Sequence, residues 1–265
     1  MCSKINKQIV VFTIGLFLLF SPTVLMGQDN VEVRDEKERW SSANSLYAQG
    51  NYSGALDEYL LLEEQGYISW PLYYNIANSY FKTQNYGRSI LYYQRALKLN
   101  PSGNDIRVNL NYAKQFTVDK IDEVPEFILV TWIRDFNYLL SSDYWTIISI
   151  VFSILVALLL LNFRYGPSAR VRKVSFFLSM LSLLFVIVST IFAWNQRSAF
   201  HREDSAIVMN AVATIRNSPD NSGATLFILH EGAKLEIIEE LGGWKRIELT
   251  DGRQGWIATE DIEII

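Results

Sequence analysis

Cysteine is almost missing from this sequence: Cys2 is the one cysteine in 265 residues. That excludes a disulfide framework and a cysteine-rich zinc site. Histidine is nearly as scarce, and neither His201 nor His230 has a partner at metal-ligand spacing. With 6 prolines and 14 glycines the chain is neither collagen-like nor low-complexity. Basic charge is in deficit, 24 Lys and Arg against 28 Asp and Glu, which excludes a basic nucleic-acid binder. There is no Gly-rich phosphate loop and no nucleophile elbow. The carboxylate pairs Glu63-Glu64 and Glu239-Glu240 stand beside element ends and read as solvated faces. His201 reads as solvated and His230 as a surface residue next to a turn. The expectation is a non-enzyme with no catalytic residue, no metal and no cofactor.

What the chain has is apolar residues, 49% of the total with 14% aromatic, enough to bury a core. They are concentrated in three blocks. The first, Ile9 to Phe20, follows Lys4 and Lys7 and ends in Ser21-Pro22. A basic start, a short apolar run and a breaker have the form of a secretory signal peptide, with cleavage expected beside Gln28. The second and third blocks, 145–161 and 174–194, are uncharged and long enough to cross a bilayer. Tyr144, Trp145, Phe163, Tyr165 and Trp194 stand at their ends, as interfacial aromatics do. Spans are therefore expected at 144–163 and 174–194.

The segment between them, 164–173, carries Arg164, Arg170, Arg172 and Lys173 and no acid, so it is expected to be cytoplasmic. Both flanks then face the other side, which the export signal also requires. The flanks are acidic: residues 28–143 hold 16 acids against 11 bases, and residues 195–265 hold 12 against 7. Ser149, Ser153 and Ala157 on one span, and Ser175, Ser179 and Ser182 on the other, are expected to let the two helices pack as a hairpin. Neither span holds an ionisable residue, which points to an anchor rather than a pump.

Residues 29–143 read as helices. Shifting the sequence by 34 superimposes Asn51-Tyr52 on Asn85-Tyr86, Ala55 on Ser89, and Tyr59 on Tyr93. The second copy is the clearer, with Tyr73, Ile76, Ala77, Tyr80, Ser89, Tyr93, Ala96 and Pro101. It resembles a tetratricopeptide repeat, in which small residues sit where paired helices cross and large ones fill the spaces beside them. Repeats are placed at about 36–69 and 70–103, inside a repeat domain at 29–118. Ile106, Leu110 and Ala113 mark a capping helix within 104–116. The first copy is degenerate, with Leu46 for the aromatic and Tyr67 for the proline. The tyrosines read as core packing. The resemblance implies that the first helix of each pair lines a concave groove, which singles out Asn75, Asn78, Arg107 and Asn109 as candidates for holding a bound segment. Between cap and span, in 119–143, Leu129, Trp132, Ile133, Phe136, Leu139 and Leu140 share a helical face. That helix lies either in the membrane interface or against the repeats.

From Ala206 onward short apolar runs alternate with turn signals, the pattern of a small all-β barrel at 205–265. Asp251-Gly252 marks a tight hairpin. The blocks Ala213–Pro219, Glu231-Gly232, Gly243-Trp244 and Gly255-Trp256 resemble a bacterial SH3 domain. Trp244 and Trp256 are read as either packing or ligand contacts. The resemblance implies binding of cell-wall peptides or short protein segments. The full order (signal, repeats, membrane hairpin, SH3-like barrel) resembles the BatE family of aerotolerance operons. That resemblance implies an inner-membrane scaffold with both soluble modules in the periplasm. It would work beside von Willebrand factor A-domain membrane proteins and a MoxR-type ATPase. Peptidoglycan is the alternative ligand.

Overall fold

The computed structural model describes residues 29–121, 127–201 and 204–265. The expected signal peptide, residues 1–28, lies outside the described residues. The first part is a run of antiparallel helices: α1 (Asp29–Ala48), α2 (Tyr52–Glu64), α3 (Trp70–Lys82), α4 (Tyr86–Leu99) and α5 (Asn104–Ala113), closed by a 3₁₀ turn (Lys114–Phe116). Their ends repeat with the sequence. Asn51 and Asn85, 34 residues apart, each cap a helix by accepting from a backbone N–H three residues on (3.1 and 3.2 Å). Before each cap the backbone turns left-handed, at Gly50 (φ 82°) and at its repeat equivalent Gln84 (φ 63°). Glycine adopts that conformation freely, whereas a residue with a Cβ pays about 1 kcal/mol or more. Gln84→Gly is therefore expected to stabilise the chain by up to about 1 kcal/mol in urea unfolding.

The size pattern explains the packing. Ala43 and Ala77, 34 apart, and Ala55 and Ser89, also 34 apart, are fully buried where paired helices cross. The Ser89 hydroxyl is satisfied by the Ala77 carbonyl at 2.9 Å. Leu72, Ile76, Tyr80, Ile90, Leu91, Tyr93 and Ala96 fill the same core. α5 buries Ile106, Leu110 and Ala113 against α4. Arg107 and Asn111 of α5 are exposed at the positions where α3 carries Tyr73 and Ala77. A polar outer face at those positions ends the stack, as a terminal cap must.

α6 (Ile128–Asn137) leads into two long helices, α7 (Ser142–Tyr165) and α8 (Ala169–His201). Both are long and apolar enough to cross a membrane. They are longer than expected, at 24 and 33 residues. The linking segment is correspondingly shorter than 164–173: Gly166, Pro167 and Ser168 break the chain, and Arg170, Arg172 and Lys173 belong to the start of α8. Only Gly166-Pro167 opposes a helix there, so nothing stops α8 from beginning directly afterwards. The seam also differs from the expected one. α8 contributes small residues, with Ser175, Ser179, Ser182 and Ser189 all buried. On α7, Ser149 meets Thr190 (Oγ···Oγ1 2.9 Å), but Ser153 and Ala157 face outward. The α7 side is instead large: Trp145 is buried, and Phe152 stacks on Phe185 at 4.9 Å.

The C-terminal part is a seven-stranded antiparallel sheet: β1 (Ser205–Val208), β2 (Ala213–Arg216), β3 (Thr225–Leu229), β4 (Lys234–Leu241), β5 (Trp244–Glu248), β6 (Gln254–Ala258) and β7 (Ile262–Ile264). The order is β3-β2-β6-β5-β4-β1-β7. Alternation sends Ile215, Leu235, Ile247 and Ile257 inward and leaves Trp244, Arg246 and Trp256 on the other face. β7 was not evident in the sequence, because Ile262-Glu263-Ile264 has no turn signal before it beyond a 3₁₀ turn.

The sheet does not stand apart from the helices. Ile207, Met209 and Ile265 pack into the core of the repeats. Arg95 of α4 donates to Glu263 Oε1 (2.9 Å) and to the Ile264 carbonyl (3.0 Å), and Lys98 donates to the Ile265 carbonyl (2.8 Å). His230, expected as a plain surface residue, is held by Asp119: its N–H donates to Oδ2 at 2.6 Å and its Nδ1 lies 3.0 Å from Oδ1. The edge made by β1, β7 and the β3–β4 turn is thus covered by α4 and the chain after the cap.

Candidate functional site

The first helices of the pairs, α1, α3 and α5, bring together three of the four residues marked as groove candidates. Asn75 and Asn78 lie on α3 and Asn109 on α5, all half-buried. Asn109 Nδ2 donates to Asn78 Oδ1 (3.2 Å) and to the Tyr74 hydroxyl (2.8 Å). Tyr93, from the second helix, donates its hydroxyl to the same Asn78 oxygen. One repeat earlier the arrangement recurs: Tyr59 donates to Asn44 Oδ1 at 2.6 Å, and Asn75 Nδ2 approaches that oxygen at 3.5 Å. Trp40 meets Tyr59, and Tyr74 meets Tyr93, at ring separations of 5.7 and 5.9 Å. Each unit is an aromatic residue, a buried tyrosine and two amides, with every member shifted by 34.

Asn44 was not singled out from the sequence, although the 34-residue shift that pairs Tyr59 with Tyr93 also pairs Asn44 with Asn78. The tyrosines are core, but they also serve the row. The rings of Tyr59 and Tyr93 are core, and their hydroxyls are part of the amide row. Arg107 does not join it: its guanidinium donates back to the Pro101 carbonyl beside the cap. The row carries no formal charge, and amides offer a donor and an acceptor each. Beyond Asn109 the surface turns apolar, with Val108 and Tyr112 exposed.

Burial has a measurable consequence for these phenols. It raises Tyr59 from its ordinary 10.0 to about 12. It raises Tyr93 and Tyr92 further, and for Tyr92 the carboxylate of Glu63 adds to the effect through a 2.6 Å hydrogen bond. The folded state holds these protons more tightly than the unfolded chain. The stabilisation is therefore complete below the unfolded value near 10 and is lost as pH rises through the folded values. Unfolding monitored from pH 9 to 12 is expected to be flat at first and then to fall steeply, with tyrosine ionisation following loss of the helical repeats.

Trp244 and Trp256, the other two candidates, are brought together. Strand register sets Trp256 opposite Arg246 on one side and Arg216 on the other, and sets Trp244 opposite Ala258, so the two indoles are diagonal neighbours. Both are half-buried and on the face away from the barrel core. Arg246 is oriented by Gln254 (2.9 Å) and Glu239 (3.7 Å), and Arg216 donates to the Gly223 carbonyl at 2.8 Å. This face lies on β5 and β6, whereas the edge docked on the helices is formed by β1 and β7. A cavity of about 590 Å³ opens where the end of α4, the α6–α7 connection, the end of α8 and the barrel meet, and none of the six candidate site residues lines it.

Comparison with known families fits this geometry. Residues 70–102, which span α3 and α4, match the tetratricopeptide repeat, and residues 211–263, from just before β2 to β7, match the bacterial SH3 domain. No curated protein matches the chain. Both families are typically non-catalytic binding domains, and no enzyme family is indicated. The chain therefore combines a helical repeat module, two membrane-capable helices and an SH3-like sheet, a set that suggests binding of proteins and, through the SH3 module, of peptidoglycan.

Proposed function

We propose that the protein is a non-enzymatic scaffold of the bacterial inner membrane whose tetratricopeptide and SH3 modules bind protein partners in the periplasm, in an aerotolerance or envelope-stress complex. The observation that carries this reading is the duplicated amide–phenol unit, whose amides remain exposed (Asn44) or half-exposed (Asn75, Asn78, Asn109) on the first helices while the tyrosine rings beneath them are buried. Amides held by tyrosines keep a fixed spacing, which suits recognition of an extended backbone. The BatE resemblance supplies the partner class, von Willebrand factor A-domain membrane proteins and a MoxR-type ATPase system. The test is capture of partners by the tagged full chain from membranes solubilised in mild detergents. Wild type recovers a von Willebrand factor A-domain protein, and Asn78→Ala with Asn109→Ala does not. Recovery of no such partner, or equal recovery by the variant, contradicts the proposal.

The orientation belongs to the same reading, with both soluble modules on the periplasmic side and Arg164 to Lys173 on the cytoplasmic side. Reporters fused near Lys120 and after Ile265 are expected to be active only in the periplasm. A cytoplasmic signal from either overturns the topology.

A second reading is supported by the diagonal pair Trp244 and Trp256 beside Arg216 and Arg246. Indole faces flanked by cations suit a peptidoglycan strand, whose sugars stack on rings and whose stem peptides carry carboxylates. Co-sedimentation of the detergent-solubilised chain with purified sacculi, lost on Trp256→Ala, favours it, and no sedimentation removes it.

A further inference from the structure

The helix α6 is short and carries an apolar face that the other described residues leave uncovered. At 100° per residue, Ile128, Trp132, Phe136, Leu129 and Ile133 fall within an arc of about 140°. All five are exposed, from 52% for Leu129 to 65% for Trp132. Arg134 lies opposite the middle of that arc. The repeats therefore do not cover this face, which removes the alternative that α6 is one more helix packed against them.

What does hold α6 is the mouth of the α7–α8 hairpin. The buried Asn137 closes it: its carbonyl accepts from Trp145 Nε1 (2.8 Å) and from Gln196 Nε2 (2.6 Å), and Gln196 also donates to Asn137 Oδ1 (3.1 Å) and to the Leu140 carbonyl (2.9 Å). Phe136 lies 5.9 Å from Trp145 and 6.1 Å from Phe192, ring to ring. The exposed face of α6 is thereby continuous with the exposed apolar surface of the hairpin, which includes Ile147, Ile150, Val151 and Ile154 on α7. Tyr144 and Trp194 are exposed at the same end of the hairpin, where aromatic residues mark a membrane–water boundary.

We propose that α6 is a membrane-surface foot: Ile128, Leu129, Trp132, Ile133 and Phe136 insert among the lipids of the leaflet on the repeat side, and Arg134 faces water. This rests on the reading that α7 and α8 cross a bilayer. The occupant is lipid because the face is continuous with the surface the bilayer would cover and has no charge or amide within it. The Asn137–Gln196–Trp145 clasp fixes the foot to the hairpin, so the height of the repeats above the membrane is set by structure.

Site-directed spin labelling of the full chain in lipid nanodiscs tests this. In a Cys2→Ser background, single cysteines replace Leu129, Ile133, Arg134 and, as the control within α7, Leu158. Collision with oxygen, which concentrates in lipid, is compared with collision with a water-soluble nickel chelate. The ratio of oxygen to nickel collisions is expected to be severalfold higher at Leu129→Cys and Ile133→Cys than at Arg134→Cys, and highest at Leu158→Cys. A high ratio at 158 with nickel-accessible labels at 129 and 133 overturns the foot and leaves the membrane hairpin standing. Labels at 129 and 133 shielded from both reagents mean a protein-covered face and also overturn it. Nickel access at 158 as well would show that the hairpin reading itself fails, and the foot with it.

Discussion

Replacing Tyr93 with alanine is expected to cost about 3–5 kcal/mol, by analogy with truncation of other large buried aromatic residues. Its side chain is 2% exposed and belongs to the core built by Ala77, Ile90 and Ala96. The ring supplies most of that energy. The hydroxyl, bonded to Asn78, is worth about 1 kcal/mol when removed as Tyr93→Phe. A stack of two helical hairpins and one further helix is short, and three repeats are usually needed for a stable array. Tyr93→Ala should therefore abolish the cooperative urea transition of the repeats at 37 °C, read by amide exchange in α3 and α4, whereas Tyr93→Phe shifts its midpoint only slightly. The phenylalanine variant isolates function. It leaves Asn78 free of its tyrosine partner, so partner capture should weaken while the fold survives.

The second large effect concerns the contact between barrel and repeats. Gly87 lies in the first turn of α4, and a Cβ placed there would stand 3.3 Å from Glu231 Cβ and Oε2 and 3.5 Å from the Gly232 nitrogen. Leucine at this position has two opposite consequences. It favours an isolated helix by close to 1 kcal/mol over glycine. Against the docked barrel it has no room, and overpacking costs about 1–3 kcal/mol. Clash therefore wins if the barrel is seated on α4. In wild type, peptides from α4 and from β5–β6 should lose exchange protection together as urea rises. In Gly87→Leu the two transitions should separate, with α4 itself no less helical. Independent loss of protection in wild type, with Gly87→Leu raising the urea midpoint of α4 alone, would show that the two modules do not pack on each other.

These two residues also show what could be read from the sequence and what could not. Tyr93 and Ala77 were legible because repetition at 34 residues is a one-dimensional signal that survives without any partner. The hairpin blocks around Trp244 and Trp256 were legible for the same reason: turn residues and alternation are local. Asn44 was within reach, since the shift that finds Tyr59 and Tyr93 also finds it, but a polar residue in a degenerate repeat carries no weight until its neighbour across helices is known. Gly87 and His230 were beyond reach. Their roles depend on segments more than 100 residues away, Glu231 for one and Asp119 for the other, and no local pattern encodes that pairing. The seam of the hairpin was half legible: serines at helical spacing marked α8, but small residues on α7 misled, because Ser153 and Ala157 are exposed while Trp145 and Phe152 of α7 meet Phe192 and Phe185 of α8.

The proposed function centres on the amide row as a surface that holds a partner segment. Photo-crosslinking in living cells tests this most directly. A photoreactive phenylalanine analogue is placed at Val108, at the exposed apolar end of the row, and at Leu61, an exposed position on the second helix of the first repeat, as control. A discrete adduct is expected from position 108, absent from position 61, and lost when Asn78→Ala and Asn109→Ala are introduced together. No adduct at 108, or one that persists unchanged in the double variant, would contradict it.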